Sequence, residues 1–267
     1  MTIRLICSPY DSGRLGERNG AGPAALRARL EPRVDRVEEI AVSGYLAEIS
    51  VAFSVARELS VRVRDALAQG AFPIVLSGNC IAALGTVSGC GAANTDVVWF
   101  DAHGESMTPE TTSSGFLDGM GISVLTGQTW QTMARSIPGF EPVPGSRVVL
   151  VGGHDREAAE IAFFDAMGIE CAGTLEALEH SRVLGGRGND GVYLHLDLDV
   201  LDAREARAND WATAGGWKIE DLLAGIRVIH ARRRIKAVGV ASYNPRTDSD
   251  GRAAQTIERI VEMIAGA

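Results

Sequence analysis

Residues 97–105 read Val97-Val98-Trp99-Phe100-Asp101-Ala102-His103-Gly104-Glu105. Four apolar residues, two β-branched and two aromatic, run without polar alternation, as in a strand buried on both faces. The run then stops and delivers Asp101, His103 and Glu105 at alternate positions. Side chains so spaced at a strand end can converge on one point where the strand gives way to loop.

Similar runs lie on either side, at Ile3–Cys7, Phe72–Leu76, Arg147–Val151, Val192–Asp197 and Ala237–Ala241. Helical patterns separate them over Leu46–Gln69, Ile81–Val87, Gly119–Leu125, Arg156–Met167, Ile219–Arg233 and Arg252–Ile264. This alternation predicts an α/β fold whose mainly parallel sheet is covered by helices on both faces. The 267 residues contain no linker-like stretch, repeat or low-complexity tract, which suits one domain over 1–267. Gly185-Gly186-Arg187-Gly188 reads as a loop. Gly89-Cys90-Gly91 follows a helical run and lacks a third glycine, so a dinucleotide-binding loop is set aside.

A net charge of −8 argues against nucleic acid or an anionic membrane as partner. Cys7, Cys80, Cys90 and Cys171 are scattered without a CxxC pair, which fits free thiols in a reducing compartment. The start, MTIRLICSPYDSG, turns polar too quickly for a signal peptide, and no apolar run reaches the roughly 18 residues of a membrane span. The expectation is a cytoplasmic protein acting on a small molecule.

In open parallel sheets, ligands bind beyond the carboxyl ends of the strands. Besides Asp101, His103 and Glu105, those ends carry Ser77-Gly78-Asn79-Cys80, Asp197-Leu198-Asp199 with Asp202, and Ser242-Tyr243-Asn244-Pro245. A single Asp-x-Asp is more often a solvated loop or a cap. Two acidic clusters on separate strands, one with a histidine, shift the balance. Carboxylates gathered this closely repel one another unless a cation neutralises them. Asp101, His103, Glu105, Asp197 and Asp199 therefore point to divalent metal, with Mn²⁺ best suited and Fe²⁺ or Zn²⁺ next. Two ions about 3.5–4 Å apart that share carboxylates are the arrangement that activates water for hydrolysis.

Three blocks of sequence resemble the ureohydrolases, the family of arginase, agmatinase and formimidoylglutamase. The family patterns GGxHS, DAHxD with a long polar loop, and SxDxDxxDP correspond to SGNCIA at 77–82, WFDAHGESMTPETTSSGFLDGM at 99–120 and HLDLDVLDA at 195–203. Gly22-Pro23-Ala24-Ala25-Leu26-Arg27, Gly215-Gly216 and Tyr243-Asn244-Pro245 support the match. The resemblance implies a three-layer α/β/α sandwich, a binuclear manganese centre, trimers or hexamers, and hydrolysis of an amidine or guanidine carbon–nitrogen bond by a metal-held hydroxide.

Carried over by position, Asp101 and Asp197 match the bridging carboxylates, and His103 and Asp199 the remaining ligands of one metal. The other metal's histidine and aspartate are replaced by Cys80 and Glu105, with a thiolate being softer and needing to lose its proton first. The family's proton-shuttling histidine is Asp118 here, so Asp118 or Glu105 is the candidate for that role. The glutamate that grips the guanidinium in arginase is Ser242. Losing that charge-assisted contact, worth on the order of 1.5–3 kcal/mol, leaves two expectations: Asp118 supplies the negative charge from a new direction, or the substrate is a less cationic amidine such as an N-hydroxyguanidine. Ser114 and Asp155 match substrate-contacting positions. Met107 replaces a polar residue there, and Trp211 would narrow the pocket mouth.

Cys80 has two further readings, a nucleophile with His103 as base and a small buried thiol. The rival class for the whole chain is a degenerate ureohydrolase that binds or regulates without catalysis. His195, inside a strand, reads as a packed core imidazole, His154 as a helix-start or rim residue, and Asp202 as a turn cap. Arg232-Arg233-Arg234 is a basic helix end that suits the helix dipole.

Overall fold

Eight strands, every neighbouring pair parallel, form the central sheet of this computed structural model, which describes residues 1–43, 47–186 and 189–266. In chain order the strands are β1 (Ile3–Ser8), a two-residue hairpin pair β2 (Tyr10–Asp11) and β3 (Arg14–Leu15) outside the sheet, β4 (Arg36–Glu39), β5 (Phe72–Ser77), β6 (Thr95–Asp101), β7 (Val148–Gly152), β8 (Glu170–Ala172), β9 (Gly191–Asp197) and β10 (Ile235–Ala241). The sheet order is β4-β1-β5-β10-β9-β6-β7-β8. All residues of β5, β6, β9 and β10 are buried, which is why these strands read as unbroken apolar runs.

Strand side chains alternate between faces, and the two faces feed two hydrophobic cores. Val98, Phe100, Leu194 and Leu196 pack with the helices Gly22–Leu30, Ile219–Arg232 and Arg252–Ala265. Val97, Trp99 and Tyr193 pack with the helices Glu48–Ala68 and Ala83–Cys90. The result is the three-layer α/β/α sandwich. On the second face the same parity carries Trp99 to Asp101 and Tyr193 through His195 to Asp197. The register sets Trp99 opposite His195, and His195 opposite Gly239.

The six sequence-expected strands form within a residue or two of their expected ends. The two edge strands, β4 and β8, were not expected: Arg36-Val37-Glu38-Glu39 is mostly charged and Glu170-Cys171-Ala172 is only three residues long. Short, charged strands are usual at a sheet edge because they discourage pairing with other chains. The helix Gly22–Leu30 was also not expected; Pro23 sits in its first turn, where a missing N–H costs nothing. Of the expected helix Leu46–Gln69, residues Glu48–Ala68 are helical and Leu46 lies outside the described residues. So do Arg187 and Gly188 of the expected glycine loop. Among the described residues no helix is long and apolar enough to cross a membrane.

Candidate metal centre

Strands β6 and β9 are neighbours, so their ends bring Asp101 and Asp197 together, both almost wholly buried. The backbone after each strand turns back on its own carboxylate. His103 N–H donates to Asp101 Oδ1 at 2.9 Å, and Asp199 N–H donates to Asp197 Oδ1 at 3.0 Å. Ala102 N–H crosses to Asp199 Oδ1 at 3.1 Å. His103 Nδ1 lies 3.3 Å from Asp101 Oδ1 and 3.5 Å from Asp199 Oδ2. Asp101, His103 and Asp199 thus offer ligand atoms within 4.8 Å of one another.

Cys80 approaches from the turn after β5. Its thiol donates to Asp197 Oδ2 at 3.1 Å and lies 3.4 Å from the Ser242 hydroxyl. Asp118 caps that turn, accepting from Ile81 N–H and from the Asn79 side-chain amide, each at 2.8 Å. Cys80, Glu105 and Asp118 form a second group within 4.8 Å, and Cys80, Asp101 and His195 a third.

Glu105 and Ser242 both adopt left-handed backbone, at φ 50° and 57°. Non-glycine residues there are strained and persist only when their surroundings hold them. For Glu105 the holding residue is Glu160, whose carboxylate accepts from Gly104 N–H at 3.2 Å and Ser106 N–H at 3.3 Å. The same carboxylate closes a capping box with Glu157 at the start of the helix Ala158–Met167. A side chain at Gly104 would run into Glu160, at 2.7 Å from its carboxyl carbon.

The electrostatics ask for a cation. Burial, followed by the Asp199 charge, pushes Asp101 up to about 6, and burial pushes Asp197 and Glu105 well above the carboxylate range. Burial alone would lower His103, yet Asp101 and Asp199 pull it up to about 10. A carboxylate cluster that favours bound protons is one whose protons a divalent ion can displace. Glu105 Oε2 is buried with no hydrogen-bond partner. A donor set of carboxylates, imidazole and thiol fits divalent transition metals, and the residues present therefore fit such ions. Burial and the surrounding carboxylates also push the Cys80 thiol far up, the opposite of what activates a nucleophilic cysteine.

A sequence profile of the arginase family matches residues 1–266. The chain belongs to the arginase family. The arginase of Staphylococcus aureus (strain COL) is 28% identical over 223 residues, spanning 79% of this chain and 73% of that protein. The arginase of Bacillus subtilis (strain 168) is 25% identical over 99% of this chain and 98% of its own length. The crystal structure of the arginase from Bacillus cereus superposes with a TM-score of 0.87 at 25% identity, covering all of this chain and 99% of that one.

Other expected positions of this arginase-family chain lie further out. Asp155 is exposed, with Oδ2 3.9 Å from His103 Nε2. Ser114 sits in an exposed loop, where its hydroxyl accepts from Phe116 N–H at 3.2 Å. Trp211 is 51% exposed, and its ring lies 6.1 Å from that of Phe116, so the two loops meet over the rim. Met107 is buried, and Asp202 caps its turn through Arg204 N–H and Gly215 N–H. His154 is half-buried, with neither ring nitrogen partnered.

Two residues escaped the sequence reading. Asn209 is fully buried, and its amide reaches Asp199 Oδ2 at 3.1 Å and Asp197 Oδ1 at 3.4 Å. Its own oxygen accepts from Trp211 N–H at 2.9 Å, tying the rim loop to the centre. Glu160 is the other, an acidic residue inside a helical pattern that nothing local distinguishes from a solvated one.

Proposed function

We infer that this chain, as one domain over 1–267, is a metal-dependent hydrolase cleaving a carbon–nitrogen bond of a guanidino- or amidino-type small molecule. The observation that carries this reading is the convergence of Asp101, His103 and Asp199 within 4.8 Å at the ends of two adjacent strands of an arginase-family chain. Asp101, Asp197, His103 and Asp199 would hold one divalent ion, and Cys80 and Glu105, with the same two aspartates, would hold a second. Mn²⁺ suits the first half. Bound there, the ions supply an activated water and neutralise charge that builds on the amidine.

The protein's own groups supply the rest. Asp118 and Glu105 stand in one group, and burial holds Asp118 at about 7, a range in which a carboxyl both gives and takes a proton. Asp155 and Ser114 face the substrate's polar end, and Trp211 with Phe116 closes over it. Ser242 offers a hydroxyl where a guanidinium calls for a carboxylate, which favours a less cationic amidine such as an N-hydroxyguanidine. Family resemblance adds a homo-oligomer, trimer or hexamer, and the scattered free cysteines favour a reducing, cytoplasmic setting.

The test is metal analysis of Mn²⁺-reconstituted protein followed by turnover of a panel of guanidino, N-hydroxyguanidino and formimino compounds. Two ions per chain and turnover that strong chelation abolishes are expected. Fewer than one tightly held ion per chain, unchanged by added Mn²⁺, would sink the hydrolase reading in favour of a degenerate binding protein.

A further inference from the structure

We propose that His195 is a metal ligand, so that the Cys80 side of the centre holds its ion through thiolate, imidazole and the shared Asp101 and selects Zn²⁺ over Mn²⁺. The proposal rests on the metal-dependent reading above but adds a ligand from a position where the family pattern SxDxDxxDP has serine. The imidazole missing from the turn after β5 at Cys80 is regained two strands over, on β9.

His195 is 1% exposed, and its Nε2 is buried without a hydrogen-bond partner. An unmet buried polar atom is destabilising, so an interior imidazole left half-bonded calls for a partner. Its ligand atom lies within 4.8 Å of those of Cys80 and Asp101. The other ring nitrogen, Nδ1, is 2.9 Å from the Tyr193 hydroxyl. With the Nδ1 proton donated to that oxygen, Nε2 presents its lone pair, the tautomer a ligating histidine needs.

The ring is also held in plane. It stacks on Trp99 with centroids 3.8 Å apart and 29° between planes, and the Trp99 indole N–H donates to Asp101 Oδ2 at 2.9 Å. One side chain thus orients two members of the group. Tyr193 in turn needs room, and Gly239 supplies it: a Cβ there would stand 2.1 Å from the Tyr193 hydroxyl. Two of the three groups share Asp101, and in them each imidazole serves a different partner set, His103 with Asp199 and His195 with Cys80. A site with thiolate and imidazole is softer than one of carboxylates and a single imidazole, and such donors favour Zn²⁺.

The full-length protein is stripped of metal and titrated with Co²⁺, as a spectroscopic stand-in for Zn²⁺, and with Zn²⁺ in competition. Expected is a near-ultraviolet thiolate-to-cobalt charge-transfer band that Cys80→Ser abolishes and His195→Gln weakens. His195→Gln is also expected to lower Zn²⁺ affinity roughly a hundredfold or more, since losing a residue that only orients a ligand already costs about 10–100-fold. Tyr193→Phe keeps the imidazole and the core packing and is expected to weaken Zn²⁺ roughly tenfold, which decides the matter if His195→Gln does not fold. Spectrum and Zn²⁺ affinity unchanged in both His195→Gln and Tyr193→Phe would overturn the proposal. An ion lost with Asp199→Asn but indifferent to His195→Gln would overturn it while leaving the hydrolase reading intact. An ion that survives Asp199→Asn and is lost with His195→Gln would uphold it even in a protein that hydrolyses nothing.

Discussion

The β6–β9 half of the centre and the β5 half are built in opposite ways. In the first, every carboxylate has an oxygen fixed by a main-chain N–H two or fewer residues from a strand end, from His103, Ala102 or Asp199. Backbone donors leave the remaining oxygens aimed together before any ion arrives. In the second, Cys80, Glu105, Asp118, Ser242 and His195 come from five separate segments, two on left-handed backbone, with Glu105 Oε2 and His195 Nε2 unpartnered. The first half is thus pre-formed by local geometry. The second is held by the fold around it and has unmet bonding capacity, so it is where metal preference can diverge without disturbing the first.

Asp101 belongs to both halves, and replacing it gives the largest expected effect. Asp101→Asn should bind neither ion tightly and lose turnover by about a thousandfold or more, because an ion supplies several kcal/mol and each 1.36 kcal/mol is tenfold. Metal content by mass spectrometry and turnover of the responsive amidine check it. One ion retained at full affinity would break the comparison, since the halves would then not share Asp101.

Asn209→Leu tests whether the first half is as pre-formed as its backbone contacts suggest. The amide touches Asp197 and Asp199 together, and losing such an orienting contact should weaken Mn²⁺ roughly 10–100-fold. Calorimetric titration reads it; no change would mean that main-chain donors alone fix the two carboxylates. Cys80→His asks the converse of the second half. Exchanging thiolate for imidazole should raise Mn²⁺ affinity there by about tenfold and lower the preference for Zn²⁺. An unaltered metal ratio would place Cys80 outside the ligand set.

The same contrast governs what the sequence reveals. The central strands were legible because both faces are buried and their residues are apolar without interruption. Edge strands β4 and β8 were not, since a solvated edge removes that pressure. Asp101, His103, Asp197 and Asp199 stood out because the geometry that joins them spans one or two residues. Glu160 acts on a loop 56 residues away in the chain, and Asn209 reaches its carboxylates from an irregular loop, so neither leaves a periodic trace. His195 could be placed on a strand and its parity read. Its surroundings, Trp99 from β6 and Gly239 from β10, exist only once the sheet order is known.

The division into halves also requires that the far edge of the sheet be indifferent to the centre, and Glu170 on β8 tests this with the smallest effect. Burial would raise this carboxyl, but the Ser181 hydroxyl at 2.6 Å, the Arg182 guanidinium at 2.6 Å and Arg182 N–H at 3.1 Å outweigh it and hold it below the usual value. A group depressed in the folded state stabilises above its unfolded pKa, and that stability is lost as pH falls through the folded pKa. Glu170→Gln should therefore lower stability at neutral pH by about 0.5–1 kcal/mol, the range of a partly exposed ion pair. The gap between the two proteins should close as the pH falls through the carboxylate range, as read by urea denaturation at a series of pH values. Metal content and affinity should be the same in both. A loss of either would mean that strain at β8 reaches Asp101 through β7, and the contrast between a locally fixed half and a fold-dependent half would no longer hold.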